Sequence, residues 1–144
     1  MIAEPTNMGI YLICIICVKG ITDKKVLGGI KSPVGSIADG SINNIKLTAI
    51  ASDFNYMGAS IGAAEGEAFL FAAQHSIANQ QPLLVVASGG GMKMQESIIA
   101  LNQMTRTTLA INELKANKLP YIVLFSDPVA GGITASYAML GDIH

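Results

Sequence analysis

Charge is scarce in this sequence. Only 13% of its 144 residues are Asp, Glu, Lys or Arg, and the formal net charge is −1. It has no basic run and no basic strand studded with aromatics. No global field therefore draws the chain to nucleic acid or to an anionic membrane, and neither is expected as a partner. Cysteine is nearly absent, with Cys14 and Cys17 forming one C-x-x-C. A structural zinc site takes four ligands, and His75 and His144 stand far from this pair in sequence. No metal ligand is assigned, and nothing points to a disulfide-built secreted protein. The plain reading is two small apolar residues inside an apolar run; half a zinc ribbon is the alternative. Long apolar runs are missing too. Residues 8–18 reach about half the ~20 residues that a spanning helix requires. No positive residue precedes them and no clear cleavage site follows, so the stretch reads as a strand or as disordered sequence. A cytoplasmic location without membrane attachment is expected. No Walker lysine loop and no G-x-G-x-x-G is present, which leaves the usual nucleotide-phosphate sites unsupported.

What the chain does hold is apolar residues, 51% of the total. The length suits one domain with a real core, and part of the apolar surface is expected to meet another chain or another part of a longer protein. Residues 1–36 read as an irregular segment. Residues 37–42 followed by Asn43 and Asn44 read as a strand and a tight turn, and residues 45–53 (IKLTAIASD) alternate as a strand does. In residues 54–66 (FNYMGASIGAAEG) Gly58, Gly62 and Gly66 recur every four positions, which places them on one face of a helix running to about Asn79. Such a stripe serves close packing of a neighbouring element, or a wall for a long ligand. Residues 83–87 (LLVVA) suit a parallel strand buried on both faces. Residues 93–117 read as one helix of roughly 37 Å, with Met94, Ile98, Leu101, Ile111 and Leu114 as its apolar positions. Residues 121–125 (YIVLF) form a second buried strand, and residues 133–140 start another helix. The order alternates strand and helix, an α/β layering with right-handed crossovers.

Two glycine-rich turns, Ser88–Gly89–Gly90–Gly91 and residues 127–132, follow the C-terminal ends of strands, where open α/β sheets bind ligands. Glycine leaves the backbone N–H unshielded and permits unusual backbone angles. A helix start adds unpaired N–H groups and a partial positive field. Two such turns side by side can aim donors at one developing oxyanion. Acid–base side chains are few. Ser88 does not sit in a G-x-S-x-G elbow. A Ser136–His75–Asp127 triad can be written, but only geometry defines one. Glu65, Glu67 and Glu96 read as helix-surface or capping groups. Glycine donors without titratable partners suit a reaction whose substrate or cofactor brings its own base, such as enolate formation from a thioester.

At these residues the sequence resembles a known family. The runs SDFNYMGASIGAAEGEA, ASGGGMKMQESIIALNQMTRTTLA and LPYIVLFSDPVAGGITASYAMLGD look like the β subunit of bacterial acetyl-CoA carboxylase carboxyltransferase, from about Ile37 onward. The carrying motifs, as they stand in this sequence, are S-G-G-G-M-K-M-Q-E, D-P-V-A-G-G-I-T-A-S and M-L-G-D. The resemblance implies a crotonase-like (ClpP-like) fold, here incomplete, with residues 37–144 as a partial carboxyltransferase domain. It implies transfer of a carboxyl group from carboxybiotin, on a biotin carboxyl carrier protein, to acetyl-CoA, giving malonyl-CoA for fatty-acid synthesis. Implied partners are a carboxyltransferase α subunit in an α2β2 assembly, the carrier protein and biotin carboxylase. By resemblance Gly131 and Gly132 are the oxyanion glycines, while Ser88, Gly89, Gly90 and Gly91 line the substrate site. The thioester oxygen is assigned to this subunit and the biotin oxygen mainly to its α partner. The family's four-cysteine zinc ribbon is not matched, so zinc is not carried over to this chain, which reads as a fragment. Alternatives are a propionyl-CoA or other acyl-CoA carboxylase, a ClpP-type serine peptidase acting through Ser136, and an inactive scaffold piece.

Overall fold

The structure is a computed structural model that describes residues 22–26 and 36–144. Cys14, Cys17 and the apolar run of residues 8–18 lie outside the described residues. Five strands form one sheet in the order β1-β2-β3-β4-β5: β1 Thr22–Val26, β2 Ser36–Ile42, β3 Ile45–Ala51, β4 Leu83–Gly89 and β5 Tyr121–Val129. The first three are antiparallel neighbours, and β3, β4 and β5 run parallel. Helix α1 (Ala63–Asn79) connects β3 to β4, helix α2 (Ile98–Ala116) connects β4 to β5, and the short α3 (Gly131–Thr134) follows β5. The strand–helix alternation expected for an α/β chain is therefore present.

The β2–β3 hairpin turns on Asn43 and Asn44, both with positive φ (49° and 66°). This is the backbone that a two-residue hairpin needs and that asparagine tolerates. Residues 22–26, read from sequence as irregular, pair with the outer edge of β2; that pairing, not an alternating pattern, makes them a strand.

Strand β4, flanked by β3 and β5, is buried along almost its whole length, as its continuous apolar run predicts. One face carries Leu83, Val85 and Ala87, which share a core with Tyr121 and Val123 of β5, Phe69, Ala72 and Ala73 of α1, and Ile111 and Leu114 of α2. A smaller cluster of Leu47 and Ala49 packs with Ile42 and Leu84.

Three sequence expectations fail locally. Residues 54–62 are not helical: a 3-10 turn spans Met57–Ala59, and α1 begins only after its N-cap Gly62. Gly58, Gly62 and Gly66 therefore do not share one helical face. Helix α2 is also shorter than residues 93–117. A 3-10 turn at Met94–Glu96 and Ser97, with φ 50°, precede it. Its 19 residues span about 28 Å, and Ile98 and Leu101 are 68% and 56% exposed. Finally, residues 133–140 hold only the end of α3 and a 3-10 turn at Ala138–Leu140.

Candidate active site

The C-terminal ends of β4 and β5 carry the two glycine runs. Both strands extend further than expected. Ser88 and Gly89 still belong to β4, and residues 127–129 to β5, with Gly89 paired to Val129 past a register shift. The turns proper therefore begin at Gly90 and Ala130. A hydrogen bond from Ala130 N–H to Gly89 O (3.0 Å) ties them together.

The turns meet backbone to backbone. A Cβ placed on Gly131 would lie 2.6 Å from Gly90 O, and one on Gly91 would lie 3.2 Å from Gly132 N. Gly131 has φ +57° and Gly91 φ +138°, so a side chain at either position is strained as well as crowded. Gly90 differs: a Cβ there meets nothing within 4 Å. Gly90 and Gly131 are exposed and Gly132 is half-buried. The N–H groups of Gly131 and Gly132 open a helix, where they have no intrahelical acceptor.

A third segment joins them, and the sequence reading missed it. Met57, Gly58 and Ala59 all take positive φ (47°, 63° and 50°), a left-handed run that costs a non-glycine residue roughly 1–2 kcal/mol. Its carbonyls face the first turn. A Cβ on Gly89, whose φ is +129°, would lie 2.7 Å from Ala59 O and 2.8 Å from Gly58 O, and Gly90 N–H donates to Gly58 O at 3.4 Å. The only sequence signal was Gly58 itself, hidden within the four-residue glycine spacing.

Below the turns lies a group of charges. Lys93 Nζ stands 2.9 Å from Glu65 Oε1 and 3.5 Å from Glu96 Oε1, and Lys93 and Glu65 are both buried. Glu65 Oε2 accepts Gly62 N–H (2.8 Å) and Glu96 Oε2 accepts Ala63 N–H (2.6 Å). Both carboxylates thus cap the start of α1, as a capping reading expects. Burial alone would lower the Lys93 pKa, but its bond to Glu65 and the charges of Glu65 and Glu96 outweigh burial and raise it. Lys93 is therefore a fixed cation near neutral pH.

Other side chains do not supply acid–base chemistry. Ser136 Oγ donates to the carbonyls of Gly132 (2.6 Å) and Ile133 (3.2 Å). His75 bonds with Thr48 and Asn79, and Asp127 is exposed. The three are not bonded to one another as a triad would be. Burial pushes the Tyr137 phenol up to about 12, with a bond to Ser52 opposing. Ser88 Oγ is buried and, like Ser126 Oγ, has no hydrogen-bond partner among the described residues. Ser88 therefore presents no hydroxyl to a ligand in this arrangement. Gly62 and Gly66 lie against Glu96 and Gln103; their missing side chains admit those residues, not a long ligand. Among the described residues no group of three His, Cys, Asp or Glu could hold a metal, and no helix is long and apolar enough to cross a membrane.

Comparison with known proteins adds the following. The family described as the carboxyl transferase domain matches residues 34–144. The chain is 68% identical over 108 residues to the acetyl-coenzyme A carboxylase carboxyl transferase subunit beta of Pelagibacter ubique, covering 75% of this chain and 35% of that protein. It is 49% identical over 109 residues to the protein of the same name from Caulobacter vibrioides, covering 76% and 36%. The chain thus spans about a third of the length of these curated relatives. Among solved structures it is similar to transcarboxylase 12S with hydrolysed methylmalonyl-coenzyme A bound: TM-score 0.70, 26% identity, 86% of this chain and 25% of that one. The fold is the crotonase-like α/β fold that the sequence motifs implied.

Proposed function

The chain belongs to the carboxyl transferase domain family, and from that premise we propose that it is part of the β subunit of an acetyl-CoA carboxylase carboxyltransferase, moving a carboxyl group from carboxybiotin to acetyl-CoA to form malonyl-CoA. The observation that carries the reading is the contact between the two glycine turns, with Gly90 O and Gly132 N each abutting the opposite turn. In this reading the backbone N–H groups of Gly131 and Gly132 hold the thioester oxygen as it becomes an enolate oxyanion, an effect worth roughly 3–4 kcal/mol per donor. The open Gly90 lines the same site, with the buried Ser88, Gly89 and Gly91 behind it. Carboxybiotin supplies the carboxyl group and, once decarboxylated, a base for the α-proton. This chain's part is to bind and orient the thioester and to hold its oxygen.

The identity to acetyl-CoA carboxylase β subunits favours acetyl-CoA, and the likeness to transcarboxylase 12S keeps a longer acyl-CoA in the comparison. A carboxyltransferase α subunit, the biotin carrier and biotin carboxylase complete the proposed assembly, in the cytoplasm. The exposed Ile98, Leu101 and Leu109 of α2 (68%, 56% and 58%) give such an assembly apolar surface to cover. The test is carboxyl transfer by the full-length protein with its α partner, comparing acetyl-CoA with propionyl-CoA. A clear preference for acetyl-CoA is expected. Absence of transfer to either thioester refutes the reading.

A further inference from the structure

Lys93 lies two residues beyond the first glycine turn, yet none of its contacts is to a substrate-facing group. Its backbone N–H donates to Ile61 O (2.8 Å), and Ile61 N–H donates to Gly91 O (2.9 Å), so the chain after the turn is zipped to the chain before α1. Its ammonium sits between Glu65 and Glu96, at 2.9 and 3.5 Å, and 6.0 Å from the ring centre of Tyr56. Those carboxylates hold the N–H groups of Gly62 and Ala63. The start of α1, the Tyr56 ring that precedes the strained run at Met57–Ala59, and the exit of the glycine turn therefore converge on one buried cation.

We propose that Lys93 is a positioning residue for the carboxyl-transfer reaction: its buried pair with Glu65, braced by Glu96, fixes the Gly89–Gly91 turn against Met57–Ala59 and so sets the distance between the two glycine turns. This rests on the proposed carboxyltransferase reading. Two features make the role more than packing. A left-handed run with two non-glycine residues persists only where its surroundings over-determine it, and the Lys93 ammonium lies between the start of α1 and the Tyr56 ring from which that run departs. Among the described residues no ion pair holds the second turn. It follows the first through Ala130 N–H to Gly89 O and through the contact of Gly131 with Gly90 O. A shift of the Lys93 segment would thus pass to the oxyanion donors, whose placement matters more in the transition state than in the ground state.

The experiment compares Lys93→Met, Lys93→Arg and Glu65→Gln in the full-length protein assembled with its partner subunit, beside the unaltered assembly. Lys93→Met is expected to lower kcat at least ~10-fold while the KM for the acyl-CoA moves less than ~3-fold, since the loss falls on the transition state. Lys93→Arg, which keeps the charge between the two carboxylates, is expected to recover most of kcat. Glu65→Gln, which can still cap Gly62 but loses the charge, is expected to lower kcat in the same sense by a smaller factor. It serves as the readout if Lys93→Met does not assemble. Unchanged kcat in an assembled Lys93→Met or Glu65→Gln enzyme overturns the proposal, as does a rise in KM with kcat intact. Failure of the unaltered assembly to transfer carboxyl groups refutes the carboxyltransferase reading instead, so the two failures are distinguishable.

Discussion

Replacing Gly131 with alanine perturbs the site at its tightest contact. The new Cβ would stand 2.6 Å from Gly90 O, whereas carbon and carbonyl oxygen ordinarily approach to about 3.3 Å. The two turns must therefore part by about 0.7 Å. The partner is backbone at the end of a buried strand, not the tip of a flexible side chain, so it cannot swing aside. Alanine at φ +57° adds about 1 kcal/mol of strain. A displacement approaching 1 Å at a reacting centre costs up to about 100-fold in rate, and complete loss of one oxyanion donor about 100- to 1,000-fold. The expected fall in kcat for Gly131→Ala is accordingly about 10- to 100-fold, with the KM for acetyl-CoA little changed because the lost interaction belongs to the transition state. The assay is steady-state carboxyl transfer by the assembled full-length enzyme, with circular dichroism to establish that the variant is folded. A folded Gly131→Ala enzyme with wild-type kcat refutes the oxyanion role of the second turn.

Gly90→Ala separates ligand contact from strain: its Cβ meets nothing within 4 Å, so Tm should stay unchanged while the KM for the acyl-CoA rises, and a fall in Tm with KM intact counts against an open site at that glycine. Ser136, whose hydroxyl is committed to the carbonyls of Gly132 and Ile133, should resist labelling by a fluorophosphonate; labelling would restore the peptidase alternative. Asp142 accepts Tyr121 N–H at 2.9 Å and pairs with exposed Lys115 at 3.3 Å; the backbone bond first, and Lys115 after it, outweigh burial and hold its pKa below the ordinary 3.8. A carboxylate with a lowered folded pKa stabilises above its unfolded pKa, and that contribution is lost as pH falls through the folded value. The wild-type advantage over Asp142→Asn in thermal unfolding should be present at pH 7, amount to less than about 1 kcal/mol for so exposed a pair, and shrink as pH drops below about 4; an advantage that grows on acidification contradicts the assignment.

The parts of the fold legible in the sequence are those in which a local preference and the tertiary setting agree. Asn43 and Asn44 tolerate the φ that their hairpin requires, and the apolar runs at residues 83–87 and 121–125 lie where two faces of a sheet are covered. The parts that misled are those where spacing imitated a regular element. Glycines four apart at Gly58, Gly62 and Gly66 match a helical face, but Met57–Ala59 is turned the other way by its carbonyl contacts with the Gly89 turn. Those contacts come from residues some thirty positions away, and no window of local sequence contains them. Lys93 likewise reads as the first residue of a long helix. Its ammonium and Glu96 are instead bound to the start of α1, which delays α2 to Ile98. The glycine turns were legible as turns at the ends of adjacent strands because the backbone angles they need are those of glycine itself. Their supports were not, because Glu65, Lys93 and Glu96 look like ordinary solvated charges until the fold buries the first two together.

A chain so poor in charge places part of it beside the glycine turns. A site that works through backbone N–H groups needs no acid or base of its own, but it needs those groups held still, since donors that relax when charge develops lose the advantage of preorganisation. Glycine removes the side chains that would block the oxygen, and in doing so removes the packing that would otherwise fix the turn. The compensation lies one step away. The buried Glu65 and the half-buried Glu96 anchor the α1 N-terminus, a buried cation links them to the exit of the turn, and main-chain bonds through Ile61 carry the constraint to Gly91. Removing one member of such a buried pair typically costs about 3–5 kcal/mol, because the other charge is left uncompensated. The rigidity of the glycine turns is therefore coupled to a few ionised groups, and a substitution there should be felt in the reaction even where the glycines themselves are untouched.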